Sequence, residues 1–118
     1  MPEQRGTMDT SKVKPTRKGP EGTFFQSDLR VTYLKLVQTF GKPNSVGDTY
    51  KIDAEWVLST PSGIATIYNY KDGKNYLGPQ GKSTEYIVEW HIGGTNKGVV
   101  YHIYKALGKE LDLLGELL

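Results

Sequence analysis

Apolar positions along this chain follow two spacings. Leu29, Tyr33, Leu36, Val37 and Phe40 recur at steps of four, three, one and three, which is one face of a helix. Ser27 stands before the stripe as an N-cap, and Asp28 complements the positive end of the helix dipole. Gly41 and then Pro43 provide the stop. The spacing predicts a helix over 28–40. From Tyr50 the period changes to two. Tyr50, Ile52, Ala54, Trp56 and Leu58 point one way, and Lys51, Asp53, Glu55, Val57 and Ser59 the other. The turn Thr60-Pro61-Ser62-Gly63 leads into a second strand over 64–71, so 49–71 reads as a hairpin. In this second strand Ala65 and Ile67 alternate with Thr66, Tyr68 and Tyr70, and both faces carry bulk.

Residues 72–83 hold three glycines and a proline, which exclude regular structure and predict a long loop. Alternation returns over 85–92, with Tyr86, Val88, Trp90 and Ile92 on one face and Glu85, Ile87, Glu89 and His91 on the other. A glycine-rich break at 93–98 then opens a final helix over about 97–116, whose seam is Val100, Tyr104, Leu107, Leu111, Leu114 and Leu118. The predicted order is helix–strand–strand–strand–helix. The fold class is α+β: two layers, an antiparallel three-stranded sheet flanked by an N-terminal and a C-terminal helix.

Composition changes this picture at the N-terminus. The chain of 118 residues carries a formal charge of +2. Residues 1–22 hold five basic and three acidic side chains, so the whole excess lies there and the remainder is neutral. No aromatic residue precedes Phe24. Residues 1–22 therefore read as a disordered basic tail, and 23–118 as one α+β domain. A neutral domain argues against nucleic acid as the partner. The absence of cysteine removes disulfides, thiolate metal sites and a cysteine nucleophile. No apolar run approaches the roughly 18 residues of a membrane span, so no membrane partner and a cytoplasmic location are expected.

Four features carry candidate chemistry. The strand, glycine loop and helix start through Gly93, Gly94, Asn96 and Lys97 would present unpaired amides and a lysine to an anion. The phosphate-loop pattern of nucleotide hydrolases is not met, because no Lys-Ser or Lys-Thr pair follows the glycines. The loop after the second strand adds Lys71, Lys74 and Lys82, with Tyr68, Tyr70 or Tyr76 to stack on a base. These two features leave opposite ends of the third strand. One site using both needs the loop to fold back, or a second subunit. The polar sheet face carries Asp53, Glu55, Glu85, Glu89 and His91, the material of acid–base work, with no nucleophile or metal-ligand spacing to complete it. The seam residues Tyr104, Leu107, Leu111, Leu114 and Leu118 exceed what three strands cover, which points to a homo-oligomer or a protein partner. No catalytic residue, metal or cofactor is assigned.

The segments Phe40-Gly41-Lys42-Pro43, Glu55-Trp56, Ala65-Thr66-Ile67-Tyr68-Asn69-Tyr70-Lys71 and Trp90-His91-Ile92-Gly93-Gly94 resemble a pattern found in small accessory proteins of tailed phages and large DNA viruses. The resemblance covers residues 29–94. It implies a viral protein in the host-cell cytoplasm that antagonises host defence by sequestering a nucleotide signal or binding an effector. It also marks Tyr68, Lys71, Trp90, His91, Gly93 and Gly94 as positions of interest, although alternation puts Trp90 in the core. The expected function is a non-enzymatic binding protein for a phosphate-bearing ligand, a nucleotide or cyclic nucleotide signal, held by Tyr68, Lys71, Lys74, Lys82, His91, Gly93, Gly94, Asn96 and Lys97. The alternatives are an interaction module acting through the leucine seam and a small acid–base enzyme using His91 with Glu89 or Glu55.

Overall fold

A computed structural model describes residues 12–108. The elements are β1 (Lys14–Pro15), β2 (Phe24–Arg30), α1 (Tyr33–Phe40), β3 (Glu55–Thr60), β4 (Gly63–Tyr68), α2 (Lys74–Leu77), β5 (Glu89–Gly94) and α3 (Gly98–Ala106), with 3-10 turns at Gly78–Gln80 and Thr84–Tyr86. All strand pairs are antiparallel, in the order β1-β3-β4-β5-β2. The α+β class stands. The expected three strands and two helices do not: among the described residues the sheet has five strands and there are three helices.

The two added strands come from stretches read otherwise. Phe24–Arg30 is a strand on β5, not the run-up to a helix. Helix α1 begins only at Tyr33, capped by Thr32, whose Oγ1 accepts from the Lys35 amide. Ser27 and Asp28 are therefore strand residues. Leu29 still joins the core, but from the sheet. The second addition is β1, at Lys14–Pro15, from the segment expected to be a tail. Val13 beside it is buried in the core, and the Thr16 amide donates to the Val57 carbonyl.

Register sorts the side chains onto two faces. Trp56, Ile67 and Ile92 stand abreast across β3, β4 and β5, as do Leu58, Ala65 and Gly94 in the next row. These belong to the core, against Leu36 and Phe40 of α1 and Val99 and Ile103 of α3. The undecided face of β4 is thereby settled, since Ala65 and Ile67 go inward. A Cβ on Gly94 would meet Val99 Cγ2 at 2.3 Å, so glycine there lets α3 lie close on the sheet. Two tryptophans centre the core. The rings of Trp56 and Trp90 meet edge to face at 5.5 Å, with Tyr33 at 5.9 and 6.3 Å. Both indole N–H groups are satisfied, by the Gly41 and Val31 carbonyls.

The stretch 72–83 is not without regular structure, as its glycines suggested; it folds into α2 and a 3-10 turn. Asn69 ties it down. This side chain is fully buried, accepts from the amides of Asp53 and Ala54, and donates to the carboxylates of Asp53 and Asp72. The Asn75 amide donates to Asp53 as well, and the Lys71 amide to the Lys51 carbonyl. Among the described residues no helix is long and apolar enough to cross a membrane.

Candidate functional site

The sheet face opposite the helices carries two adjacent cross-strand rows. Glu55, Tyr68, His91 and Asp28 stand abreast across β3, β4, β5 and β2. The neighbouring row is Val57, Thr66, Gly93 and Phe25. Alternation alone put Glu55 and His91 on one face; the register shows them in one row with Tyr68 between.

Rings line this face. The His91 imidazole stacks on Tyr68 at 5.5 Å with an interplanar angle of 17°, and Phe25 and Tyr70 approach its edge at 5.3 and 6.0 Å. Beyond Tyr70 the Lys71 ammonium lies 5.3 Å from the ring centres of both Tyr70 and Tyr76. Lys71 holds φ at 63°, a left-handed conformation that turns the chain from strand into loop. Phe25 and Tyr70 are exposed and Tyr68 and His91 half-buried, so the ring series is open to a ligand. His91 Nδ1 is 3.9 Å from Asp28 Oδ1, beyond hydrogen-bond length.

Next to the rings is a cavity of about 410 Å³. Thr66, Gly93, Tyr68 and Glu55 form its sheet side. Phe24, Phe25, Pro20 and Thr23 stand on one wall, with Gly47, Asp48 and Ile52 on the other. Gly93 keeps the floor low, because a Cβ there would meet Thr66 Oγ1 at 2.5 Å and Tyr68 at 3.4 Å. The 42–53 loop forms its wall because Asn44 pairs with the backbone of Val57 through both side-chain atoms, and Ser45 Oγ donates to Glu55 Oε1 at 2.7 Å. Asp48 shapes the loop further. Its Oδ1 accepts from the amides of Tyr50 and Lys51, and those bonds hold its carboxyl below the usual range. Burial, and then the charges of Glu55 and Tyr70, push the Tyr68 phenol above its ordinary value, so it is neutral and able to donate at physiological pH.

The expected ligand residues divide into three places. Tyr68, His91 and Gly93 meet on the open face, and Lys71 stands at its far end beside Tyr70. Lys74 and Lys82 are exposed on the loop, where Lys82 pairs with Gly73 in a parallel bridge. Gly94 faces the core. Asn96 and Lys97 belong to the start of α3, whose amides are already engaged. Gly98 N–H donates to Asn96 Oδ1 at 2.8 Å, and those of Val99 and Val100 to the carbonyls of Asn96 and Lys97. Asn96 also donates to the Ser62 carbonyl, so it binds the loop to the β3–β4 turn.

Of the seam, Tyr104 and Leu107 are buried against the chain's own sheet, and the Tyr104 hydroxyl lies 3.1 Å from that of Ser27. Leu111, Leu114 and Leu118 lie outside the described residues. Among the described residues no three His, Asp or Glu side chains come together to hold a metal ion.

Phe25 and Thr66 complete this face beside the expected stacking residue Tyr70, and neither was singled out as a site residue from the sequence. The signal for Phe25 was the pair Phe24-Phe25 ahead of an alternating Asp28-Leu29-Arg30, masked by a bulge at Gln26 that shifts the register. No family model matches the chain, and neither does any curated protein or solved structure.

Proposed function

We propose that this is a non-enzymatic binding protein that holds a nucleotide on the open face of its sheet, base against the rings and phosphate toward Lys71. The observation that carries this reading is the continuous ring series Phe25, His91, Tyr68 and Tyr70, bordered by a cavity and ending at a lysine. Stacking on aromatic side chains contributes about 1–3 kcal/mol per base and is open to any planar ring. The cavity is within the range of about 300–1,000 Å³ usual for small-ligand sites. Among the described residues its walls bring Glu55 and Asp48 and no basic side chain, which favours the phosphate at the Lys71 end. The 3.9 Å gap between His91 and Asp28 leaves the imidazole to ring contacts, which favours holding over proton transfer. The engaged amides of α3 favour the open face over the helix start. In the setting the phage resemblance implies, such a protein would act in the host cytoplasm by sequestering a nucleotide signal.

Calorimetric titration with mononucleotides, cyclic mononucleotides and cyclic dinucleotides tests this. The wild type binds at least one of them. Tyr68→Ala weakens that binding by about 5- to 150-fold, the equivalent of one lost stacking contact, whereas Lys97→Ala leaves it unchanged. Absence of binding by the wild type across the panel contradicts the reading. A loss confined to Lys97→Ala moves the ligand to the helix start.

A further inference from the structure

The cavity ends on a carboxylate without a counter-charge. Glu55 is 6% exposed and stands beneath the 42–53 loop. Its Oε1 accepts from Ser45 Oγ, and among the described residues its side chain makes no other hydrogen bond and no ion pair. Gly47 is what permits the loop to pass so closely. A Cβ there would meet Glu55 Oε1 at 2.4 Å, and its φ of 57° suits glycine. Thr66, 2% exposed on the cavity floor, likewise has no hydrogen-bond partner for its hydroxyl among the described residues. Burying an ionised carboxylate is costly unless donors surround it, and a carboxylate can accept about four hydrogen bonds. One hydroxyl leaves most of that capacity unused, and Glu55 lines the cavity.

Resting on the nucleotide reading above, we propose that Glu55 selects the base, and that the base is guanine. Guanine is the common nucleobase whose pairing edge presents two adjacent donors, the ring N1–H and the exocyclic amino group. A carboxylate accepts both in parallel, as it does from a guanidinium. Adenine would turn its N1 lone pair toward the carboxylate, and cytosine its N3. Uracil offers a single N–H between two carbonyls. The ring planes of Phe25 and Tyr68 beside the cavity are the surfaces a bicyclic purine would use. The acidic cavity repels phosphate, so the nucleotide enters base first with its phosphate outward, toward His91 and Lys71.

Calorimetry with GMP, IMP and AMP on the wild type and Glu55→Gln tests the assignment. The wild type prefers GMP over AMP by roughly 5- to 150-fold, the range set by one bidentate base contact. IMP, which lacks the amino group, falls between. Glu55→Gln loses that margin by weakening GMP while leaving AMP unchanged. Its thermal midpoint without ligand stays at or above that of the wild type, because the substitution removes an unpaired buried charge and keeps the shape; this separates lost recognition from lost folding. Equal binding of GMP and AMP, unaffected by Glu55→Gln, overturns the role of Glu55 and leaves nucleotide holding intact. Failure of every nucleotide overturns both. Binding of L-arginine tighter than GMP, and lost in Glu55→Gln, overturns guanine in favour of a free cation.

Discussion

Replacing Trp56 by alanine lowers stability by about 3–5 kcal/mol, the range for deleting a buried aromatic side chain. Trp56 is fully buried near the start of β3, in edge contact with Trp90 and within reach of Tyr33. Three effects combine. The apolar surface of the indole is lost, a cavity opens between the sheet and α1, and the Gly41 carbonyl loses its donor. The last of these loosens the C-terminus of α1, where the chain turns into the 42–53 loop that walls the cavity. Native domains of this size hold only about 5–15 kcal/mol in reserve. The thermal midpoint should therefore fall by well over about 10 °C. Urea denaturation gives the free energy directly. Trp56→Phe keeps a ring against Trp90 and loses the N–H, so it costs less than the alanine. A loss below about 1 kcal/mol for Trp56→Ala is incompatible with the core described.

Asn69→Ala is expected to cost about 2–4 kcal/mol, although its side chain is small and polar. The amides of Asp53 and Ala54 lose their acceptor, and the carboxylates of Asp53 and Asp72 lose a donor. Each buried group left unsatisfied costs about 1–3 kcal/mol, with relaxation recovering part of the sum. The same change frees the 70–83 stretch from the sheet, and with it Lys71 and the Tyr70–Tyr76 pair. On the proposed function, nucleotide affinity falls together with stability. Asn69→Asp gives a sharper signature. It places a third carboxyl beside two others in a buried position, and its own pKa is raised by burial and by those charges. A raised folded pKa makes the ionised form the destabilising one. The deficit relative to the wild type is then largest at neutral pH and shrinks as the pH falls through that raised value. Urea denaturation at pH 7.5 and pH 5 reads this. A deficit equal at both values contradicts the buried contact with Asp53 and Asp72.

The strands legible in the sequence are those that alternate, and only their second halves stand. β3 begins at Glu55 and β5 at Glu89, whereas Tyr50 and Tyr86, expected inward, are exposed, and Ile87, expected outward, is buried just after a 3-10 turn. Within β3 and β5 the sets Trp56/Leu58 and Trp90/Ile92 do form the core side, although Glu55 and Val57 on the other face of β3 are buried as well. β4 was ambiguous because Tyr68 and Tyr70 are as bulky as Ile67. Only pairing with Trp56 and Ile92 decides between its faces. β2 was hidden for a local reason. The bulge at Gln26 breaks the period of two, and Leu29 then lies four residues before Tyr33, which imitates a helical repeat across a strand–helix junction. β1 is two residues long, with Val13 as its anchor, too little for any periodic signal. The candidate site was half visible on the same grounds. Tyr68, His91 and Gly93 stood out locally. Phe25 required the missed strand, and the buried state of Glu55 required the loop carrying Ser45 and Gly47, a tertiary contact with no local trace.

Backbone amide chemical shifts followed during titration with GMP test, residue by residue, the proposed placement of the ligand on the open sheet face and not at the start of α3. The predicted result is that the largest changes fall on Phe25, Thr66, Tyr68, His91 and Gly93, with those of residues 98–100 near zero. Changes concentrated at Gly98, Val99 and Val100, with the sheet amides still, would contradict it.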